Sequence, residues 1–518
     1  MDNNEIFCKI IQKYNPVDLY ALLVFYKPNT TNDFENDVYD GSINLFAKII
    51  SLSNLRIRTK KINFYNDAHC KKLFLIMWTF LSKKYQSDLK ELRKCVEEDI
   101  ITCNQFSFEL ASPKTYPRIF AENIEAKLMP FNNILKQRYN IDSHFISQAC
   151  ESICKNAIKY CSKDDIISHS CTNIIKCFPS DFLDDLISVN EKSNEPLAIN
   201  SFSKTVCIPI VKTNGEYNII SFDVFIDNFY IAVHRLCLLH MNKTEKDRLS
   251  NIKGQNFNDY CKDVFENVFL FDNVYSNFKY SKNENNGEID LLISNKDVLL
   301  VIECKARNYT DKISGLHSSF TKANESNLDF SSFQIRKFLN LLDKNNEVSI
   351  FNGEERFQII KSKYNYIIPI VINLANLAEL NSDYSKRDIE TLFISYDDLK
   401  IISDIIQKRK WLFIDFVLQF LDIAKHNSMI DDIIDAFAFY CCHKNLSILR
   451  QDKMAVCIYQ LGNGFFQKYF TYYHDINPIS IFENDIKVFD GNLYTTYKEM
   501  ISAYHKTYWM ESLEEICK

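Results

Sequence analysis

The sequence predicts an α/β protein, with a mixed sheet flanked by helices at its centre, a large helical region before it and a smaller helical region after it. Three observations carry this expectation. At 518 residues the chain is too long for one hydrophobic core, so two to four domains are expected. Only 9 glycines and 10 prolines serve that length, which favours long helices over a turn-rich all-β architecture. Between residues 250 and 405 the apolar pattern alternates between helical and strand periods, whereas on either side it is helical.

Taken in order, residues 1–200 form a helical region whose role the sequence does not disclose. KKLFLIMWTFLSKKYQ and DDIISHSCTNIIKC space apolar residues three to four apart, as a buried helical stripe requires. Prolines 113, 117 and 130 interrupt the region. Residues 201–249 are expected to hold a β-hairpin and a connecting helix. TVCIPIV and NIISFDVFI read as its strands, with Asn214-Gly215 at the turn. Residues 250–405 make the α/β domain, and 406–518 return to helix with IISDIIQKRK and WLFIDFVLQFLDIA.

Hydrophobic residues make up 46% and aromatics 14% of the chain, enough to exclude a disordered protein. The formal net charge of −6 argues against a protein that coats nucleic acid over its whole surface, because neutralising phosphates needs a cationic excess. A local basic groove remains compatible with it. The start MDNNEIFCKI lacks the apolar core of a secretory signal, so the 17 cysteines are expected to be reduced and mostly buried in a cytoplasmic protein. The densest group, Cys150, Cys154, Cys161, Cys171 and Cys177 with His169 nearby, lacks the paired C-x2-C spacing of a structural zinc site. No segment reaches the ~20 apolar residues that span a bilayer.

Chemistry concentrates in GEIDLLISNKDVLLVIECKAR, Gly287 to Arg307. It reads as two strands joined by a polar turn at Ser294–Asp297. Side chains alternate along a strand, so Glu303 and Lys305 share a face at the end of an apolar run while Cys304 turns the other way into the core. If the strands pair as a hairpin, Asp290 meets them. Two carboxylates suit a hard cation such as Mg²⁺ or Mn²⁺, which prefers oxygen ligands, and the lysine can stabilise charge on a phosphate. Asp290 and Glu303 are the expected metal ligands.

Asp290, then Glu303-Cys304-Lys305 after an apolar strand, resembles the PD-(D/E)xK, or restriction-endonuclease-like, nuclease superfamily. The resemblance covers residues 250–405. It implies a mixed-sheet nuclease core and Mg²⁺- or Mn²⁺-dependent endonuclease hydrolysis of phosphodiester bonds, in DNA before RNA. It also implies a cytoplasmic role in bacterial restriction or antiviral phage defence. Members of the RecB-like group carry a helical Q-x3-Y whose glutamine reaches the site. The corresponding residues here are Gln334 and Phe338, in FSSFQIRKFLNLL, where Phe330, Phe333, Phe338, Leu341 and Leu342 are read as one apolar face. Many members open with a helix reading G-x2-F-E. Here GQNFNDYCKDVFENVFL keeps Gly254 and Phe257 but has Asn258 at the acidic position, and Glu266 falls opposite the apolar stripe.

Glu288, on the same strand face as Asp290, is either a solvated hairpin acid, as such residues more often are, or a group behind the site or an extra ligand. Arg307, Lys312, Lys322, Arg336 and Lys337 are the candidate phosphate contacts. The rival expectation is a catalytically inactive, nuclease-like nucleic-acid-binding or assembly protein, with a homo-oligomer or protein partner engaged through the helical regions. No Walker A motif, Rossmann fingerprint or nucleophile elbow is present.

Overall fold

In the computed structural model, the alternation that begins near residue 250 becomes a seven-stranded mixed sheet, and helices dominate what precedes it. The structure describes residues 3–26, 33–54, 60–98, 117–155, 177–199, 201, 206–213, 215–282, 285–306, 330–352, 355–374, 391–424, 433–443 and 445–446. Two compact units divide at Leu249 and Ser250.

In the first unit, α1 (Asn3–Lys13), α2 (Pro16–Phe25), α3 (Asp33–Leu52) and α4 (Asp67–Glu97) enclose one apolar core. Asn15 sets the start of α2: its side chain accepts a hydrogen bond from the Val17 amide at 2.9 Å. Pro16 fills the first helical position, where no N–H is needed. The stripe in KKLFLIMWTFLSKKYQ lies within α4, and Phe80 of α4 stacks on Phe7 of α1 with ring centroids 4.0 Å apart.

Four shorter helices follow, α5 (Pro117–Leu128), α6 (Asn132–Tyr139), α7 (Ser143–Lys155) and α8 (Ser180–Ser188). Pro117 opens α5, and Pro130 sits in the 3-10 turn between α5 and α6. Residues 164–176, which carry most of the second expected stripe, lie outside the described residues, as does Pro113.

The hairpin is β1 (Ile210–Thr213) with β2 (Glu216–Ile219), paired Ile210↔Ile219 through Thr213↔Glu216. Gly215 adopts φ 82° at its turn, a conformation glycine takes without a Cβ clash. Both strands differ from the expected runs: of TVCIPIV only Ile210 and Val211 lie in β1, and SFDVFI is not part of β2. Ser221 accepts from the Val224 amide at 3.3 Å and caps α9 (Phe222–Leu239). Phe225 and Phe229 then fall one helical turn apart and pack edge-on against Phe120, with centroids 6.4 and 6.0 Å away.

The second unit begins within α10 (Lys243–Asp263), which ends in a π turn over Val264–Val268. The sheet is built from β3 (Val274–Lys282), β4 (Asn285–Asn295), β5 (Val298–Lys305), β6 (Glu347–Asn352), β7 (Glu355–Ile360), β8 (Tyr366–Asn373) and β9 (Leu392–Ser395). Its spatial order is β7-β6-β3-β4-β5-β8-β9. Pairing is antiparallel from β7 to β5, then parallel for β5 with β8 and β8 with β9. β5 is buried from Val298 through Cys304, as its unbroken apolar run requires of a strand covered on both faces. The β4–β5 turn is tighter than the sequence suggests: pairing runs to Asn295↔Val298, leaving Lys296 and Asp297, with Lys296 at φ 54°.

α11 (Phe330–Asn345) lies between β5 and β6 in sequence, and α12 (Tyr396–Ile405), α13 (Lys410–Ala424) and α14 (Ile433–His443) follow β9. The helices after 405 pack within this unit, where Phe413 of α13 meets Phe265 and Phe269 at 5.8 and 4.6 Å between centroids. Asp415, buried in α13, accepts hydrogen bonds from Tyr440 at 2.6 Å and Gln419 at 2.9 Å. Those bonds offset its burial. Among the described residues no helix is long and apolar enough to cross a membrane.

One glycine is fixed by a neighbouring ring. Gly287 of β4 pairs across the ladder with Tyr280 of β3, and a Cβ at Gly287 would come within 2.3 Å of that ring. Tyr280 is itself buried, with its ring centroid 5.2 Å from that of Phe338 of α11, so the ring cannot swing aside freely. Gly287→Ala is therefore expected to destabilise the protein by about 1–3 kcal/mol in denaturant unfolding. Adding Tyr280→Leu should recover part of that loss. An unchanged midpoint in the single variant would show that the ring yields.

Candidate active site

β4 and β5 bring Asp290 and Glu303 to neighbouring positions. Their ladder runs from Asn295↔Val298 up to Leu291↔Ile302, and the next residues outward are these two acids. Beyond that point the strands part, and the Cys304 amide donates to Asp290 Oδ2 at 2.8 Å. A side-chain carboxylate thus takes the place of a backbone carbonyl as acceptor.

Lys305 closes the set. Its Nζ donates to Glu303 Oε2 at 2.8 Å and to Gln334 Oε1 of α11 at 2.9 Å, and lies 3.9 Å from Asp290 Oδ2. The four residues named from sequence as catalytic, Asp290, Glu303, Lys305 and Gln334, therefore meet in one cluster. It is nearly closed to solvent: side-chain exposure is 21% for Asp290, 15% for Lys305 and 3% for Glu303. Burial pushes the Glu303 carboxyl up to about 8, the Asp290 charge adds to the rise, and the Lys305 ammonium opposes it. Two carboxylates held together away from water favour a proton or a cation between them.

Three residues not singled out as site residues from sequence complete the surroundings. Asn277 of β3 stands across from Asp290 but is skipped by the β3–β4 ladder, which pairs Ser276↔Leu291 and Phe278↔Ile289 on either side. It adopts φ 55°, a region asparagine enters more readily than most residues. Its Oδ1 accepts from Asn258 Nδ2 of α10 at 2.9 Å. The same Nδ2 lies 3.5 Å from Asp290 Oδ1, at the long limit of a hydrogen bond. Asn258, at the position where an acid is usual in the resembled family, thus faces the site, and its own Oδ1 is buried with no hydrogen-bond partner among the described residues.

Tyr280 is the second residue, its hydroxyl pushed up to about 12 by burial and then by the Glu303 charge. A tyrosine therefore stands near Glu303 although the Q-x3-Y tyrosine is replaced by Phe338, which is wholly buried. The third, Asn373 of β8, pairs with Lys305 in the parallel ladder. It too is buried, with an Oδ1 that no described residue bonds. The asparagine that ends the apolar run YIIPIVIN is a signal that finds Asn373, whereas Asn277 lies among other polar residues in VYSNFKY and has no such signal.

The remaining sequence candidates are dispersed. Glu288 is exposed and pairs across the ladder with Lys279. Glu266 is exposed and 3.7 Å from Lys262. On α11, Arg336 is half-buried and Lys337 exposed. Arg307, Lys312 and Lys322 lie outside the described residues. Cys304 is buried with its thiol pushed well up by burial and by the neighbouring Cys261. Cys150 and Cys154 are buried in α7 and Cys177 is exposed, while Cys161, Cys171 and His169 lie outside the described residues.

The expected apolar face of α11 needs correction. Its buried residues are Ser331, Ile335, Phe338, Leu341 and Leu342, whereas Phe330 and Phe333 are 53% and 60% exposed. At 100° per residue Phe333 lies 140° from Phe338, too far round to share its stripe.

Among the described residues no group of three or more His, Cys, Asp or Glu side chains gathers at metal-binding spacing. The anionic donors gathered at this site are two carboxylates, both hard. That set fits Mg²⁺ or Mn²⁺, which is commonly held by one or two carboxylates and keeps several waters. Comparison with family models, with curated proteins and with solved structures finds no match to this chain.

The raised Glu303 carboxyl links stability to pH. Between the ordinary carboxylate range and about 8, the folded chain keeps a proton that the unfolded chain has released. Stability therefore falls as pH rises through that window and levels off above it. Glu303→Gln removes the linkage. In metal-free thermal melts the variant should gain on the wild type as pH rises from about 5 to about 8, and parallel profiles would exclude a protonated Glu303.

Proposed function

We propose that the protein is a metal-dependent nuclease of the PD-(D/E)xK type that hydrolyses phosphodiester bonds, with DNA as the first substrate to test. The observation that carries the proposal is the single bonded cluster of Asp290, Glu303, Lys305 and Gln334, drawn from two strands and a helix. The element order supports it: an amphipathic helix, a hairpin carrying Asp290 and Glu303-Cys304-Lys305, a helix supplying Gln334, then further strands extending the sheet.

Asp290 and Glu303 would hold the cation, which when bound supplies Lewis-acid polarisation of the phosphate and an activated water. The protein's own groups do the rest. The backbone amide of Cys304 fixes Asp290 in orientation. Gln334 Oε1 and Glu303 hold the Lys305 ammonium at the site, where it offsets negative charge developing on the phosphate. Burial of the cluster strengthens each of these interactions relative to water.

A second reading, a nuclease-like binding protein without activity, is favoured by one observation: Asn258 supplies an amide where an additional carboxylate would strengthen cation binding. Incubation of wild type with plasmid, single-stranded DNA and RNA in Mg²⁺ or Mn²⁺ separates the two. Hydrolysis by the wild type, reduced roughly a hundredfold or more in Glu303→Ala and Lys305→Ala, is expected. Hydrolysis of none of the three, or equal hydrolysis by the variants, would contradict the proposal.

A further inference from the structure

The first two turns of α11 expose what a helix packed on a sheet normally covers. Phe330 and Phe333 are 53% and 60% exposed, although the helix buries a complete stripe elsewhere, from Ser331 to Leu342. Neither ring is needed for that core. Phe330, Phe333, Gln334 and Lys337 are spaced i, i+3, i+4 and i+7, so they share one side of the helix. This side also meets the cluster: Gln334 Oε1 accepts from Lys305 Nζ at 2.9 Å, and the Phe330 ring centroid lies 5.9 Å from the same ammonium. An exposed ring, Phe330, thus stands beside the atoms that would face a scissile phosphate, with the exposed Phe333 one turn further along the same side of the helix and an exposed lysine a turn beyond that.

We infer that Phe330 and Phe333 form a stacking platform for unpaired bases, so that the substrate is single-stranded nucleic acid or a strand with splayed bases next to the cleavage point. The inference rests on the nucleic-acid reading of the site. Rings three residues apart on a helix lie about 5–6 Å apart at Cβ, close enough to engage one base or two successive ones. In a duplex the base faces are covered by their neighbours, so only an unpaired base offers its face to a ring. The charge of the chain is compatible with this: at a formal net −6 the surface as a whole is not a phosphate-binding one, and stacking contributes affinity that needs no overall cationic excess. Both DNA and RNA present such bases, and the probes below distinguish them.

The test is fluorescence anisotropy with the full-length chain in EDTA, using labelled oligodeoxythymidine, oligouridylate and a blunt mixed-sequence duplex. The same probes are followed for cleavage in Mn²⁺. Wild type is expected to bind a single strand more tightly than the duplex. Phe330→Ala/Phe333→Ala should weaken single-strand binding roughly tenfold or more and leave duplex binding unchanged, while Phe330→Trp/Phe333→Trp restores it. Thermal melts of both variants should match wild type, since the rings are outside the core. Single-strand affinity equal to wild type in the alanine variant, or a wild-type preference for duplex, overturns the inference. If duplex is then cleaved, the nuclease reading survives. Ring-dependent binding with no cleavage of any probe upholds the platform and removes the nuclease reading, and no binding to any probe removes both.

Discussion

Two carboxylates and an ammonium, packed at the end of a buried strand pair, impose the constraint on which this half of the protein depends. Asp290 and Glu303 are adjacent and nearly closed to solvent, and among the described residues Lys305 is the cation that faces them both. Burying like charges together is costly unless a proton or a cation intervenes. The raised Glu303 carboxyl records that cost. A fold under selection for stability alone would have little reason to keep such a set, because apolar residues of similar volume usually serve as well or better. Perturbed groups of this kind cluster at functional sites, and here the perturbation has a geometric cause that can be traced bond by bond.

The surrounding architecture holds this cluster in place. β5 is fixed on one side by β4 and on the other by β8, so Glu303 and Lys305 have little freedom. Asn277 breaks the β3–β4 ladder opposite Asp290, and its side chain ties that break to Asn258 of α10. Local irregularities in a strand commonly re-aim a side chain beside an active site. Gly287 leaves room for Tyr280, which packs against Phe338 and comes near Glu303. α11 contributes on two sides, a buried stripe that docks it and an outward stripe that brings Gln334 to Lys305.

Much of this was legible in the sequence. The apolar run ending in Glu303-Cys304-Lys305, with Asp290 one hairpin upstream, led to the cluster because strand alternation and a short polar turn leave little choice of register. The apolar run of YNYIIPIVINLA likewise reads as a strand, and TLFISYDDLKIISDII as a strand running into a helix; they form β8, β9 and α12. Other parts were hidden. β3, β6 and β7 interleave polar residues with apolar ones and carry no strong period, so only pairing with neighbours identifies them. A phenylalanine on an amphipathic helix usually belongs to its buried face, and only the structure shows that α11 turns Phe330 and Phe333 outward. SFDVFI leaves the hairpin for a local reason, since Ser221 caps the helix that follows.

Isothermal titration of Mn²⁺ into the metal-free full-length protein near neutral pH, repeated in buffers of different ionisation enthalpy, tests the central claim most directly. A cation entering between Asp290 and Glu303 must displace the proton that burial keeps on Glu303. Binding is therefore predicted to release about one proton, to lose that release in Glu303→Gln, and to vanish in Asp290→Ala. Absence of binding by the wild type, or binding that survives Asp290→Ala unchanged, would contradict a metal site at this pair and with it the nuclease reading.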